Sequence, residues 1–231
     1  MEKGSKTIDG TTIEYFVHGT NPKWLFDSGT HGDEWQIIPL VRKAIEKNSD
    51  KLPAFIYIPI VSPSAVELKT RNNKNDIDVN RNYFQNSNVD EVLLMSQIIE
   101  PYFFDLSITW HEDDTKEGFY FYDTEDISGS KELATLRNHI KALGVPLYNG
   151  LDWEGDEKWA NDSAMGARAI DGYIANSPAK DSEELGDFAS WKFAREHIKR
   201  ILNPEIPGKL SLGTKQKIVN YFVEDILLKL I

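Results

Sequence analysis

A dense run of β-branched and aromatic residues at positions 53–61 (PAFIYIPIV) most constrains what this chain can fold into. A run this short and this apolar predicts a strand that is buried on both faces of a sheet. Further strands are predicted at residues 11–18, 24–26 and 105–110, and helical spacing of apolar side chains occurs at 34–48, 89–99, 131–143 and 214–230. This alternation predicts an α/β fold with helices on both faces of the sheet. No long linker interrupts it, so we expect a single domain over residues 1–231.

Composition excludes several classes of function. Lysine and arginine number 26 against 37 aspartates and glutamates, a net charge of −11, which disfavours binding to a nucleic-acid backbone. The absence of cysteine rules out disulfides, iron–sulfur clusters and a thiol nucleophile. No apolar run approaches the roughly 18 residues that cross a membrane, and the first residues do not form an export signal. We therefore expect a cytoplasmic protein with neither a nucleic acid nor a membrane as its partner.

Two of the five histidines follow predicted strands, where α/β sheets place their sites. His31 and Glu34 are three residues apart at the start of a predicted helix, so their side chains can converge. With His111 they would complete a set of two histidines and one carboxylate, which is typical of catalytic zinc. The alternative is that Glu34 merely favours a helix N-terminus and His31 occupies a turn. The remaining histidines have no such pattern: His18, His139 and His197.

A highly polar segment at residues 70–82 follows the buried strand and contains Arg71 and Arg81. Near a metal, one arginine could stabilise an oxyanion and the other could bind a substrate carboxylate. A solvated loop is the alternative interpretation. Glu205 lies between Leu202 and Ile206, where partial burial would raise the pKa of its carboxyl group. The alternative is that Glu205 is one more acid on a surface loop.

These motifs, in this order, resemble those of the zinc metallocarboxypeptidases, including the succinylglutamate desuccinylase/aspartoacylase relatives. The resemblance extends from about residue 24 to the last helix. The hexamer at residues 186–191, Gly-Asp-Phe-Ala-Ser-Trp, is similar to a stretch of the murein tripeptide amidases, which are the closest in pattern. The residues that carry the resemblance are His31, Glu34, Arg71, Asp78, Asn80, Arg81, Asn82, His111 and Glu205.

The resemblance implies a mixed twisted β-sheet and a role for each matched residue. His31, Glu34 and His111 would bind one Zn²⁺, and Asp78 would orient the ring of His31. Arg71 would stabilise the oxyanion. Glu205 would be the general base. The terminal carboxylate of the substrate would be held by Asn80 and Arg81.

The implied reaction is hydrolysis of a C-terminal amide bond in a small peptide with a free carboxylate, and a cell-wall-type peptide is one such substrate. An N-acyl-amino-acid deacylase is the alternative, and a binding module without activity is a third interpretation. The tyrosine that caps the substrate in digestive-type relatives has no counterpart at the usual spacing: either Tyr148 or Tyr173 reaches the site, or no tyrosine does. The acidic loop at residues 150–184 could receive a substrate ammonium through Asp152 and Glu154, or it could simply be solvated.

Overall fold

The computed structural model describes residues 1–152, 168–175 and 186–231, and within these ranges the chain forms eleven strands and six α-helices. The strands are β1 (Glu2–Ile8), β2 (Thr11–His18), β3 (Trp24–Asp27), β4 (Phe55–Ile58), β5 (Leu106–Thr109), β6 (His111–Asp113), β7 (Tyr120–Asp123), β8 (Gly150–Leu151), β9 (Arg168–Ala169), β10 (Tyr173–Ile174) and β11 (Ile201–Pro207). The helices are α1 (Ile37–Asn48), α2 (Pro63–Leu68), α3 (Asp90–Ile99), α4 (Lys131–Ala142), α5 (Lys192–His197) and α6 (Leu212–Tyr221).

The main sheet has the strand order β1-β2-β4-β3-β5-β11-β7-β10, and β6 pairs with the far end of β11. Its central pairs, β4-β3, β3-β5 and β5-β11, are parallel, whereas β1-β2, β2-β4 and β11-β7 are antiparallel. Strands β8 and β9 form a separate antiparallel pair. The sheet is therefore mixed, and the predicted α/β class is confirmed.

Alternate residues of the central strands enter two different hydrophobic clusters, one on each face of the sheet. In β3, Trp24 and Phe26 belong to the cluster that contains residues of α1, α4 and α6, while Leu25 belongs to the cluster with residues of α3 and α5. This follows from the two-residue period of a strand. Helices therefore cover both faces, and the carboxyl ends of the parallel strands are left as the open edge.

The N-terminal strand β1 was not expected from the sequence. Its residues are mostly exposed because β1 is an edge strand, so the apolar pattern that marks a buried strand is absent. The hairpin to β2 turns at Asp9 and Gly10, which both have positive φ (45° and 85°). An Asp-Gly pair between two strands is a strong hairpin signal, and it was the available clue.

Other boundaries differ for local reasons. The strand predicted at 53–61 is confined to β4, which is flanked by Pro53 and Pro59. The helix predicted from residue 34 begins at Ile37, because the preceding residues form the turn that carries two candidate metal ligands. The final helix α6 is followed by a π-helical turn at Phe222–Ile226 and a 3₁₀ turn at Leu227–Lys229. In the described ranges no helix has the length and apolar character needed to cross a membrane.

Candidate metal centre and active site

The three predicted metal ligands lie together at the open edge of the sheet. His31 and Glu34 occupy the turn between β3 and α1, and His111 is the first residue of β6. Their side chains are buried, and their ligand atoms all lie within 4.8 Å of one another. The turn depends on Gly32, since a Cβ atom there would lie 1.8 Å from the carbonyl oxygen of Ala65 in α2.

The hydrogen-bonding atoms of this group are arranged to hold a cation. Nδ1 of His31 lies 2.5 Å from Oε1 of Glu34, and Nδ1 of His111 lies 2.9 Å from Oε2 of the same carboxylate. On its other side, Nε2 of His31 lies 3.1 Å from Oδ1 of Asp78. If Nε2 donates to Asp78, a neutral His31 ring directs its Nδ1 lone pair at a carboxylate oxygen, and only a proton or a metal ion can reconcile the two.

The charges of the metal-ligand group also favour a bound cation. Burial lowers the pKa of His31, but the charge of Glu34 and the hydrogen bond to Asp78 outweigh burial and raise it to about 9. Burial opposes ionisation of Glu34, yet His111 and His31 hold its pKa below the usual range. Two histidines and one carboxylate are the donor set of catalytic zinc sites, so the residues present fit such an ion.

Asp78 connects the metal centre to the predicted substrate-binding loop. Its Oδ1 accepts from the backbone N–H of Asn80 at 2.9 Å, and its Oδ2 accepts from Nε of Arg71 at 2.9 Å. Burial raises the pKa of Asp78, but the hydrogen bond and charge of His31, together with Arg71, lower it to about 2. Asp78 therefore stays ionised and can accept from Arg71 and the ring of His31 at once. The segment at 70–82 is a loop with a 3₁₀ turn at Val79–Arg81.

Glu205 lies in the middle of β11 rather than at a strand end. In the ladder it is the register partner of His111 on one side and of Tyr120 on the other. Burial raises the pKa of Glu205 well above its ordinary value, and the charge of His111 only partly opposes this. A carboxyl group with a raised pKa beside a metal centre is suited to moving protons.

Tyr120 and Asp113, which sequence reasoning did not select, also reach the site, together with Asp152 of the predicted acidic loop. The hydroxyl oxygen of Tyr120 lies 2.8 Å from Oδ2 of Asp113 and 2.6 Å from Oδ1 of Asp152, so its single proton serves one of these two carboxylates at a time. Tyr122 donates to the other oxygen of Asp152. The available signal was the alternation in β7, where Phe121 enters the main core and the tyrosines on either side of it face the other way.

The two tyrosines considered from the sequence have other roles in this structure. The hydroxyl of Tyr148 donates to the carbonyl of Leu151, and that of Tyr173 donates to Asp123. Among the described residues, neither tyrosine lines the pocket that contains the metal-ligand group and Glu205. Glu154 lies outside the described residues, so its part of the acidic-loop prediction has no structural outcome.

These groups line one pocket of about 360 Å³. Arg71, Asn80 and Arg81 line it, as do the metal-ligand group and Glu205. Acids also line it, including Asp113 and Asp152. The pocket therefore offers cationic and anionic groups together, which suits a small ligand that carries both charges. Among the described residues, the titratable side chains that line it are those of His31, Asp33, Glu34, Arg71, Arg81, His111, Glu112, Asp113, Asp114, Asp152, Glu205 and Lys215.

Solved structures with a similar architecture include proteins described as metallopeptidases, whereas no family model and no curated protein sequence matches this chain. A Shewanella amazonensis SB2B protein described as a candidate metallopeptidase has 17% identity and a TM-score of 0.72, covering 97% of this chain and 86% of that one. Murein-tripeptide amidase MpaA from Escherichia coli O157 has 16% identity and a TM-score of 0.56, with 98% and 91% covered. A Pseudomonas aeruginosa metallo-carboxypeptidase, in complex with (2-guanidinoethylmercapto)succinic acid, has 16% identity and a TM-score of 0.63, with 98% and 62% covered.

At these identities the likeness shows the fold. The chain has the fold that these metallopeptidases and metallo-carboxypeptidases share, which is the fold that its ordered motifs led us to expect.

Proposed function

We propose that this protein is a zinc-dependent metallocarboxypeptidase or amidase, which cleaves the C-terminal amide bond of a small peptide. The observation that carries the proposal is the convergence of His31, Glu34 and His111 in a pocket that also contains Glu205 and two arginines. One Zn²⁺ bound by these three ligands would acidify a water molecule and polarise a carbonyl group. We keep residues 1–231 as one catalytic domain, and a cytoplasmic location stays a prediction of the sequence.

The chain's own residues supply the remaining steps. Glu205 takes a proton from the attacking water and returns it to the leaving amine, and burial makes its carboxylate a stronger base for the first of these transfers. Arg71 is held by Asp78 at the pocket wall, from which its remaining N–H groups can stabilise the developing oxyanion. Asn80 and Arg81 bind the substrate carboxylate, and this contact selects a free C-terminus.

We further propose that the substrate carries an ammonium group in addition to its carboxylate. Asp152 lines the pocket, and two tyrosine hydroxyls hold its carboxylate in place. The Pseudomonas aeruginosa enzyme with the same fold was solved with a ligand that combines a guanidino group with a succinic acid. A cell-wall-type peptide with both charges is a substrate class of this kind.

The test is a mass-spectrometric product assay on the zinc-loaded protein. The panel contains ordinary C-terminal peptides, γ-glutamyl-diaminopimelate peptides and N-acyl amino acids. Release of a C-terminal residue from peptides with a free carboxylate would support the proposal. Release of acyl groups alone would favour the N-acyl-amino-acid deacylase, which would use the same metal and carboxylate site. No turnover despite bound zinc would overturn the enzymatic proposal in favour of a binding module.

Glu205→Gln is the control for the base. The amide cannot accept the proton, so kcat should fall by about 10²–10⁴ while zinc binding stays intact. Near-normal turnover would show that another group is the base.

Asp152→Asn tests the ammonium proposal, with Asp114→Asn as a matched control at a pocket residue for which the described part of the chain shows no hydrogen bond from a tyrosine. The change at position 152 should raise KM for amine-bearing peptides relative to neutral ones. An unchanged ratio of the two KM values, or the same shift in the control, would contradict the proposal.

A further inference from the structure

Glu91 is a buried carboxylate that the proposed reaction does not use. It lies in the first turn of α3 and is 3% exposed. Its oxygens accept from Oγ of Ser62 at 3.2 Å and from Nδ2 of Asn73, which lies 3.2 Å from both oxygens. In the part of the chain that the structure describes, no lysine or arginine forms a salt bridge with it. An ionised group in this position is expensive unless its hydrogen bonds are kept, so these contacts are strong constraints on Ser62 and Asn73.

Asn73 connects Glu91 to the polar loop at residues 70–82. The side-chain Oδ1 of Asn73 accepts from the backbone N–H groups of Asn75 at 3.0 Å and Ile77 at 3.1 Å. The backbone N–H of Asn73 donates to the carbonyl of Ile77 at 2.9 Å. The amide oxygen thus closes the loop while the amide nitrogen binds Glu91. Neither role can be exchanged, because a rotated amide would set its NH₂ group against two backbone donors.

The closed loop lies between Arg71 and Asp78. These two side chains meet across it, with Nε of Arg71 2.9 Å from Oδ2 of Asp78. Asp78 then contacts Nε2 of His31, and the backbone N–H of Gly32 donates to the carbonyl of Thr70 at 2.9 Å. A displacement of the loop would therefore move the carboxylate that orients a metal ligand.

We propose that Glu91 is a positioning residue for the metal centre: through Asn73 it holds the loop so that Asp78 orients His31 and Arg71 faces the pocket. This inference rests on the proposed metal site. It does not rest on which substrate is cleaved.

An exchange of donor and acceptor tests the contact. In Glu91→Gln, an NH₂ group replaces the oxygen that faces only Asn73, so one of the two acceptors of the Asn73 amide becomes a donor that opposes it. In Asn73→Asp, two carboxylates oppose each other, although Asp still accepts from the loop N–H groups. The double variant Glu91→Gln/Asn73→Asp restores one donor and one acceptor with the same net charge. Asp90→Asn is the matched control, because Asp90 is an acid in the same helical turn that binds Thr11 instead of the loop.

Two measurements separate positioning from a merely structural role. Zinc affinity is measured by competition with a chromogenic chelator, and hydrogen exchange reports protection of the Asn75 and Ile77 amides. Each single variant should weaken zinc binding about ten-fold, which is the usual effect of disturbing the partner of a ligand, and should speed exchange in the loop. The double variant should return both values to near wild type, and the control should change neither.

Folded single variants with exchange faster but zinc affinity unchanged would overturn the proposal, as would a double variant that does not recover. If Glu91→Gln does not fold, Glu91→Asp keeps the charge and shortens its reach, and it should weaken zinc binding in the same direction. A wild-type protein that binds zinc but cleaves nothing would contradict the proposed function while leaving this test intact.

Discussion

The ion pair between Asp123 and Arg200 leads to a quantitative prediction about stability. Asp123 is fully buried at the end of β7, and its oxygens accept from Nε of Arg200 at 2.9 Å and from Nη2 at 2.6 Å. The hydroxyl of Tyr173 and the backbone N–H of Glu125 also donate to it. The substitution Asp123→Asn keeps the size of the side chain and removes its charge.

The expected loss in the free energy of unfolding follows from the charge of Arg200, which stays buried without Asp123. Arg200 would remain about 10% exposed, and its acidic partner among the described residues would be Glu125 at 3.1 Å, which is itself 58% exposed. Leaving one charge of a buried pair without its partner costs about 3–5 kcal/mol, and because Asn can still form some of these hydrogen bonds, we expect a loss of about 3 kcal/mol. For a chain of this size that is a fall in Tm of roughly 6–12 °C.

The assay is urea unfolding followed by tryptophan fluorescence and far-UV circular dichroism, with linear extrapolation to water. Asp105→Asn is the control, since its partner Lys199 is 2.5 Å away but the two side chains are 47% and 77% exposed. This exposed pair should contribute less than about 1 kcal/mol. Asp123→Asn/Arg200→Gln should lose less than Asp123→Asn alone, because no unpaired charge stays buried. Equal losses in the buried and exposed single variants would refute the reasoning.

Three other predictions concern the site. Arg81→Met should raise KM about ten-fold or more with little change in kcat, because a charge-assisted bond to the substrate carboxylate is lost; steady-state kinetics measure both. Gly32→Ala should lower the free energy of unfolding by about 1–3 kcal/mol in urea, because its new Cβ meets the carbonyl of Ala65. Asp27 is buried at the end of β3, and burial raises its pKa from 3.8 to about 7 against the hydrogen bond from Thr109. The unfolded chain therefore loses this proton first, so in metal-free protein stability should fall as pH rises from 4 to 7, and Asp27→Asn should flatten that decline.

Each of these has a contrary outcome. A KM that does not change in Arg81→Met would remove Arg81 from the carboxylate site. If Gly32→Ala had the same free energy of unfolding as the wild type, α2 would have to move away from the new Cβ without loss of stability. A pH slope that survives in Asp27→Asn would assign the titration to another group.

The positions of the metal ligands could be predicted from the sequence because their signals are local. His31 and Glu34 follow a buried strand at a spacing that brings their side chains to one point, and His111 follows another strand. Parallel strands bring such ends to the same edge, so their proximity in the folded chain follows from the strand order. The roles of these residues remain predictions until zinc binding and activity are measured.

The rest of the site depends on pairings that a single sequence does not reveal. Tyr120 reaches the pocket because β7 pairs with β11, a contact between residues far apart in the chain. Glu91 looks like an ordinary acid at a helix N-terminus, where acids are common, and only its burial against Asn73 distinguishes it. The strand β1 has no apolar face of its own and depends on β2 for its hydrogen bonds.

The position of Glu205 in the β-ladder separates proton transfer from substrate selection, because the two depend on different parts of the chain. Glu205, the proposed base, and His111, the proposed ligand, are register partners on adjacent strands, so their separation is fixed by backbone hydrogen bonds and not by side-chain packing in a loop. Arg71, Arg81 and Asp152, which we assign to the oxyanion and the substrate, lie outside the strands. Substitutions at Arg81 and Asp152 should therefore alter which substrates are accepted while the register between Glu205 and His111 stays unchanged.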